Sequence, residues 1–193
     1  MDLVDVSNAV VCSQCTGNQV TGVGSATTLL GSDTTTTLQG LVQSKDGWFT
    51  KLVLPASATP RERVLASPTL LGGIVFFPSF VPVDDICTAV GHGYLYALFY
   101  LTGSAYKESV IGTDQVGGNT NVKRSISLGQ GQVAQLGVHI GAQGTGSGGT
   151  NSGGGCQGGT AVIGQSSTGA ISMSCVKTQS AWSRYISWNN QRL

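Results

Sequence analysis

The sequence predicts an all-β chain, and three observations carry that expectation. Val, Thr, Leu and Ile dominate the periodic stretches, Gly, Ser, Asn and Asp separate them, and nowhere does a helical period persist over three turns. Short strands with turn signals every 8 to 12 residues or so belong to a sandwich, a barrel or a propeller.

Composition narrows the class further. Of 193 residues, 29 are Gly and 10% are charged, with 40% hydrophobic and a formal net charge of +1. An ordinary globular domain carries roughly 25% charged residues and about 7% Gly. Disorder needs high net charge with low hydrophobicity, so it is not expected. Nucleic-acid binding would show as a basic stripe, and no block of Lys or Arg exists. The longest apolar run, Gly72 to Val83, is interrupted by Pro78 and Pro82 and falls short of the roughly 18 residues of a membrane span. Met1 to Asp5 has neither the basic nor the apolar region of a signal peptide. Export would need a signal sequence outside this chain.

Taken in order, Val4 to Val11 is expected to form a strand, and 16–37, rich in Thr and Gly, an exposed ribbon or loop. Gly47 to Leu52 alternates as a strand does, and Pro55 to Pro60 is a loop. Thr69 to Phe77 predicts two short strands around a Gly72-Gly73 hairpin turn. A long loop follows over 78–93, with Asp84, Asp85 and Cys87, and then a strand from Tyr94 to Tyr100. Thr102-Gly103 turns the chain into a strand at Ala105 to Ile111, and a loop spans Gly112 to Asn121. Further strands are expected at Lys123–Leu128, Gln132–Ile140, Ala161–Gln165, Ala170–Lys177 and Tyr185–Trp188. Between them 141–159 is a flexible Gly/Ser/Thr segment containing Cys156.

Five cysteines stand at 12, 15, 87, 156 and 175. Cys12-Ser13-Gln14-Cys15 is a C-x-x-C pair. Thr16 occupies the position where a c-type haem needs His, no second pair completes a zinc knuckle, and the Val- and Thr-rich flanks do not suit a thioredoxin-like βαβ unit. A local disulfide is the favoured reading. Cys156 and Cys175 flank a turn and a strand and could close a hairpin, worth about 3 kcal/mol by chain entropy. Cys87 is then the odd cysteine, buried or paired with a segment outside this chain.

Two features bring a family into view. Gly93-Tyr94-Leu95-Tyr96-Ala97-Leu98-Phe99-Tyr100-Leu101-Thr102-Gly103 resembles the strand–turn–strand of quinoprotein-like propeller blades. The order of segments is more specific: Arg61-Glu62-Arg63-Val64, Leu71-Gly72-Gly73-Ile74-Val75-Phe76-Phe77-Pro78-Ser79-Phe80, Cys87 before Gly91 to Gly103, Ser167-Thr168-Gly169, and Ser187-Trp188. The series resembles the C-terminal propeller of the PilY family, type IV pilus tip-associated adhesins and biogenesis factors, over roughly residues 41 to 193.

The resemblance implies the last three or four blades of a larger β-propeller spanning 1–193, at roughly 40 to 50 residues per blade. The ring would need sequence upstream of Met1, and the fragment alone is expected to aggregate through open strand edges. It implies an extracellular or cell-surface location, at the pilus tip or outer membrane. The implied partners are the pilus tip or minor pilins and a host or abiotic surface, with no nucleic acid and no membrane span. Family members carry calcium loops, so calcium is a possibility for a full-length protein. The nearest stretch here, Asp114 to Asn121, lacks the ligand spacing, and no cofactor is expected in this segment. Asn189-Asn190 replaces the family's closing Arg-Glu. Trp48, Phe76, Phe77, Tyr94, Tyr96, Phe99 and Trp188 are expected to pack between blades.

Enzyme chemistry is not expected. A quinone-dependent alcohol oxidase needs a metal site and a catalytic Asp, and Asp84-Asp85, the only adjacent carboxylate pair, suits a solvated surface loop better. No G-x-S-x-G elbow surrounds Ser166-Ser167, His92 and His139 suit ordinary loop and strand positions, and no glycine run ends in Gly-Lys-Ser/Thr. The function expected is therefore a non-enzymatic role in pilus assembly and adhesion. A quinoprotein-like enzyme and a generic extracellular β-sandwich are the alternatives.

Overall fold

A computed structural model describes residues 1–15, 17–52, 61–83, 91–140 and 160–176. In chain order it contains β1 (Leu3–Asp5), β2 (Val10–Gln14), β3 (Val20–Thr21), α1 (Leu38–Gln43), β4 (Gly47–Phe49), β5 (Thr69–Leu71), β6 (Ile74–Val81) and β7 (His92–Phe99). Then come β8 (Thr113–Val116), β9 (Asn119–Val122), β10 (Ser125–Gln130), β11 (Gly137–Ile140), β12 (Thr160–Gln165) and β13 (Ile171–Cys175). Among the described residues the fold is all-β with one six-residue helix. Four small sheets form, in the orders β1-β4, β5-β6-β7-β10, β3-β2-β9-β8 and β11-β12-β13. Among the described residues these sheets do not close into a ring.

The central sheet follows from its residues. Gly72 and Gly73 take φ of 55° and 77°, the left-handed pair a tight hairpin needs, and join β5 to β6. β6 and β7 then pair antiparallel over eight residues, Ile74 opposite Phe99 through Val81 opposite His92. One face carries Ile74, Phe76, Leu95, Ala97 and Phe99 into the shared core. The other places Phe77 directly across from Tyr96, with rings stacked at 5.0 Å. Both faces of β7 are buried, which is why its sequence is a nearly unbroken apolar run.

β6 is longer than the sequence suggests, because the expected loop over 78–93 begins with four strand residues. Pro78 sits inside β6 without breaking it. Phe80 exchanges backbone bonds with Arg63 on the side away from β7, so Pro78, two residues earlier, also aims its nitrogen to that side. β5 ends its pairing at Thr69 opposite Phe76, so no ladder partner meets Pro78 there and its missing N–H costs nothing.

Elsewhere the structure corrects several expectations. Val4 to Val11 is two strands, because Asp5 accepts from the Ser7 amide at 2.9 Å and turns the chain before Ala9 donates to Val6 at 3.0 Å. The Thr-rich 17–37 stretch is no exposed ribbon, since Val20, Val23, Ala26 and Leu29 enter the core. α1 was not expected: Thr37 caps it by accepting from the Gly40 amide at 3.1 Å, and Leu38 and Val42 form its buried stripe. Gly40 is required there, since a Cβ would lie 1.9 Å from the Asp33 carbonyl oxygen. Six residues are too few to show a helical period.

Ala105 to Ile111 is not a strand. Its buried residues are Ala105, Tyr106 and Val110, a spacing that a two-residue period cannot produce. Gly112 to Asn121, expected as a loop, contains the β8–β9 hairpin around Gly117-Gly118. In Gln132–Ile140 only β11 is strand, because Val133 and Leu136 dip into the core as the chain crosses between sheets. Of the expected packing aromatics, Phe76, Tyr96 and Phe99 are buried, while Trp48, Phe77 and Tyr94 are half-buried. The Trp48 indole donates to the Tyr100 carbonyl at 2.9 Å and lies against Gly103, where a Cβ would meet the ring at 2.2 Å. Trp188 and the strand expected at 185–188 lie outside the described residues.

Candidate functional site

Three local constructions among the described residues gather charged side chains and cysteines. The first crosses the central sheet. Ser79 on β6 and Tyr96 on β7 are only 2% and 1% exposed. Both hydroxyls donate to Glu62 Oε1, the tyrosine at 2.9 Å. Ser79 and Tyr96 are diagonal neighbours on one face of the β6–β7 pair, so a single carboxylate spans both strands. Arg63 pairs with Phe80 next door through a single antiparallel bridge, and the two contacts fasten 62–63 to the sheet. A buried hydroxyl left without a partner costs on the order of 1–3 kcal/mol, so Glu62 is a structural keystone of this face.

The second construction joins the N-terminal sheet. Cys12 and Cys15 form a disulfide with Cα atoms 5.9 Å apart. It bridges the end of β2 where that strand meets β9, and Ser13 between them donates to the Thr120 carbonyl at 3.1 Å. Cys175, on β13, is also disulfide-bonded, and its partner lies outside the described residues. Cys156 and Cys87, together with Asp84 and Asp85, lie there too, so the expected Cys156–Cys175 pairing and the acidic surface loop fall outside what the structure describes.

The third is a set of exposed carboxylates bound to their own neighbourhood. Asp5 is lowered from 3.8 to about 2, chiefly by the Ser7 hydroxyl, then by the Ser7 amide and Lys51. Asp33 is likewise lowered to about 2 by the amides of Thr36 and Thr35 and the Thr35 hydroxyl. Asp2 pairs with Lys45 at 2.6 Å and raises the lysine's pKa, and Asp114 pairs with Lys123 at 2.9 Å. The Asp114–Asn121 stretch lies in a β-hairpin whose one carboxylate pairs with Lys123. Among the described residues no three His, Cys, Asp or Glu side chains gather as a metal site. No described helix is long and apolar enough to cross a membrane.

With this geometry in hand, comparison with known proteins is informative in one place. The chain is 41% identical over 63 residues to a protein from Xylella fastidiosa (strain Temecula1 / ATCC 700964) named "Type IV pilus biogenesis factor PilY1 homolog". The similarity spans 32% of this chain and 4% of that relative, so most of the relative has no counterpart here. No family model matches the chain, and no solved structure matches it.

Sequence reasoning singled out the cysteines and Asp84-Asp85 but not Glu62, which appeared only as one letter in a longer series. The available signal was chemical. A carboxylate placed just before a Val/Leu segment, in a chain with only 10% charged residues, needs a reason to be there.

Proposed function

We propose that this chain is a C-terminal propeller segment of a non-enzymatic cell-surface protein that supports type IV pilus assembly and adhesion. The observation that carries the reading is the 63-residue similarity to a PilY1 homolog. The strand order supports it. β5, β6, β7 and β10 form a four-stranded antiparallel sheet in up-and-down order, with 100–124 and its β8–β9 hairpin inserted before β10, which is the form of a propeller blade. The non-enzymatic part is supported by the carboxylates: of the seven among the described residues, Asp2, Asp5, Asp33, Asp46, Glu62 and Asp114 each hold a cation, an amide or a hydroxyl of the scaffold. Pilus-tip or minor pilin proteins and a host or abiotic surface are the partners of this reading, and the location is the cell exterior.

The test is genetic and then physical. Deleting the gene in its native bacterium is expected to reduce surface pili, counted by electron microscopy, and attachment to a solid surface. Restoring the gene is expected to restore both. Unchanged piliation and attachment after deletion would overturn the proposal.

A further inference from the structure

We propose that the Cys12–Cys15 disulfide is a redox latch that holds the β8–β9 hairpin onto the N-terminal segment. The hairpin interrupts the chain between β7 and β10, and its one sheet neighbour among the described residues is β2. That docking is narrow. Cys12 pairs with Asn121 and Gln14 with Thr120, with the register shifting between them. Two steps along β2 therefore oppose one along β9, which is a bulge at Ser13. The disulfide closes over this bulge, so the covalent loop encloses the residues that make the contact.

Little else holds the hairpin down. All four residues of β8 are exposed, and in β9 only Val122 is buried. The side-chain hydrogen bonds that tie it to the N-terminal segment run from Ser13 to the Thr120 carbonyl and, just past β9, from Arg124 to the Val6 carbonyl. Gln115 to Thr120 and Lys123 to Asp114 stay within the hairpin and its base. An element with so little apolar burial belongs to the low-stability end of a fold, where one covalent constraint decides whether it stays docked. β6 and β7, buried and paired over eight residues, have no such dependence.

Cys12 is 7% exposed, whereas Cys15 is half-buried and more accessible. A dithiol reductant therefore attacks the Cys15 sulfur. The S–S bond breaks, Cys12 leaves as a thiolate and takes a proton, and a mixed disulfide joins Cys15 to the reductant. The reductant's second thiolate resolves that bond and releases Cys15 as a thiol. The reductant is oxidised to its disulfide, and the protein gains two electrons and two protons. Without the bridge the bulge is free to relax and the β2–β9 bonds open.

The test is hydrogen exchange on the full chain, oxidised and after dithiothreitol in native buffer, with reduction at Cys12 and Cys15 verified by alkylation and mass mapping. Amides in 119–122 are expected to exchange on the order of tenfold faster after reduction, while those of β6 and β7 keep their protection. Because dithiothreitol can also reduce the bond at Cys175, a Cys12→Ser/Cys15→Ser variant under oxidising conditions separates the two. It is expected to show the faster exchange at 119–122 without reductant and to gain nothing further from it. If that variant does not fold, alkylation mapping across a dithiothreitol titration assigns the change to one bond or the other in the wild-type chain. Unchanged exchange at 119–122 after verified reduction of Cys12–Cys15 would overturn the proposal, as would equal loss of protection in β6 and β7.

Discussion

The β5-β6-β7-β10 sheet and the β3-β2-β9-β8 sheet have the same number of strands and opposite means of support. The first buries Ile74, Phe76, Leu95, Tyr96 and Leu98 almost completely and pairs two eight-residue strands. The second is built from strands of two to five residues, contributes Val11, Val20 and Val122 to the core, and relies on a disulfide, a lysine–aspartate pair and side-chain hydrogen bonds. The chain therefore divides its stability unevenly. Perturbations of packing should act globally through the first sheet, and perturbations of polar or covalent staples should act locally through the second.

The largest effect should come from truncating the core of the first sheet. Phe76→Ala removes a fully buried ring opposite Ala97 and is expected to cost about 3–5 kcal/mol, measured by urea denaturation. A cost below about 1 kcal/mol, the scale of a surface change, would mean that this sheet does not dominate the fold. Glu62→Ala comes next. It removes the acceptor of the Ser79 and Tyr96 hydroxyls and is expected to cost about 2 kcal/mol, whereas Glu62→Gln keeps a carbonyl acceptor and should recover part of it.

What was legible in the sequence follows the same division. Apolar alternation and the Gly72-Gly73 pair reveal β5, β6 and β7, because burial on a sheet face selects residue type at every second position. The β8–β9 hairpin carries an identical Gly-Gly signal at 117–118, yet its strands, Thr-Asp-Gln-Val and Asn-Thr-Asn-Val, show no apolar face to read. α1 hides for a related reason, since only its cap lies in the Thr-rich stretch and its six residues, with Leu38 and Val42 buried, are too few to show a period. The candidate site divides likewise. The spacing of Cys12 and Cys15 marks a local bridge by itself, whereas Glu62 bonds Ser79 and Tyr96, 17 and 34 residues away.

Removing the covalent staple should give a middle-sized, regional effect. Closing so short a loop is worth about 2 kcal/mol by chain entropy, and Cys12→Ser/Cys15→Ser is expected to lose up to that amount. Thiol titration of the denatured, unreduced protein sharpens the accounting. Cys12 and Cys15 use two of the five cysteines, and Cys175 with its partner uses two more, leaving one free thiol. Three free thiols would mean that the bond at Cys175 does not form in solution.

The smallest effect is a titration confined to the N-terminal part. Asp5 and Asp33 have folded pKa values near 2, against an ordinary 3.8, because hydroxyl and amide donors stabilise their ionised forms. For a depressed carboxylate the stabilisation is present above the unfolded pKa and disappears as pH falls through the folded one. The window therefore opens just below pH 3.8 and closes near pH 2. Both side chains are exposed, so the change should be local and without a global transition. It is expected at the amides of Ser7, Thr35 and Thr36, followed by NMR chemical shift across that window. The Leu71–Ile74 pairing, bonded through backbone alone, is the internal reference. Asp33→Asn keeps an oxygen to accept from Thr35 and Thr36 but does not ionise, so their pH dependence should vanish while that of Ser7 remains. If Ser7 lost its titration as well, the two turns would be coupled, and the picture of a region held by independent local staples would have to give way to one cooperative unit.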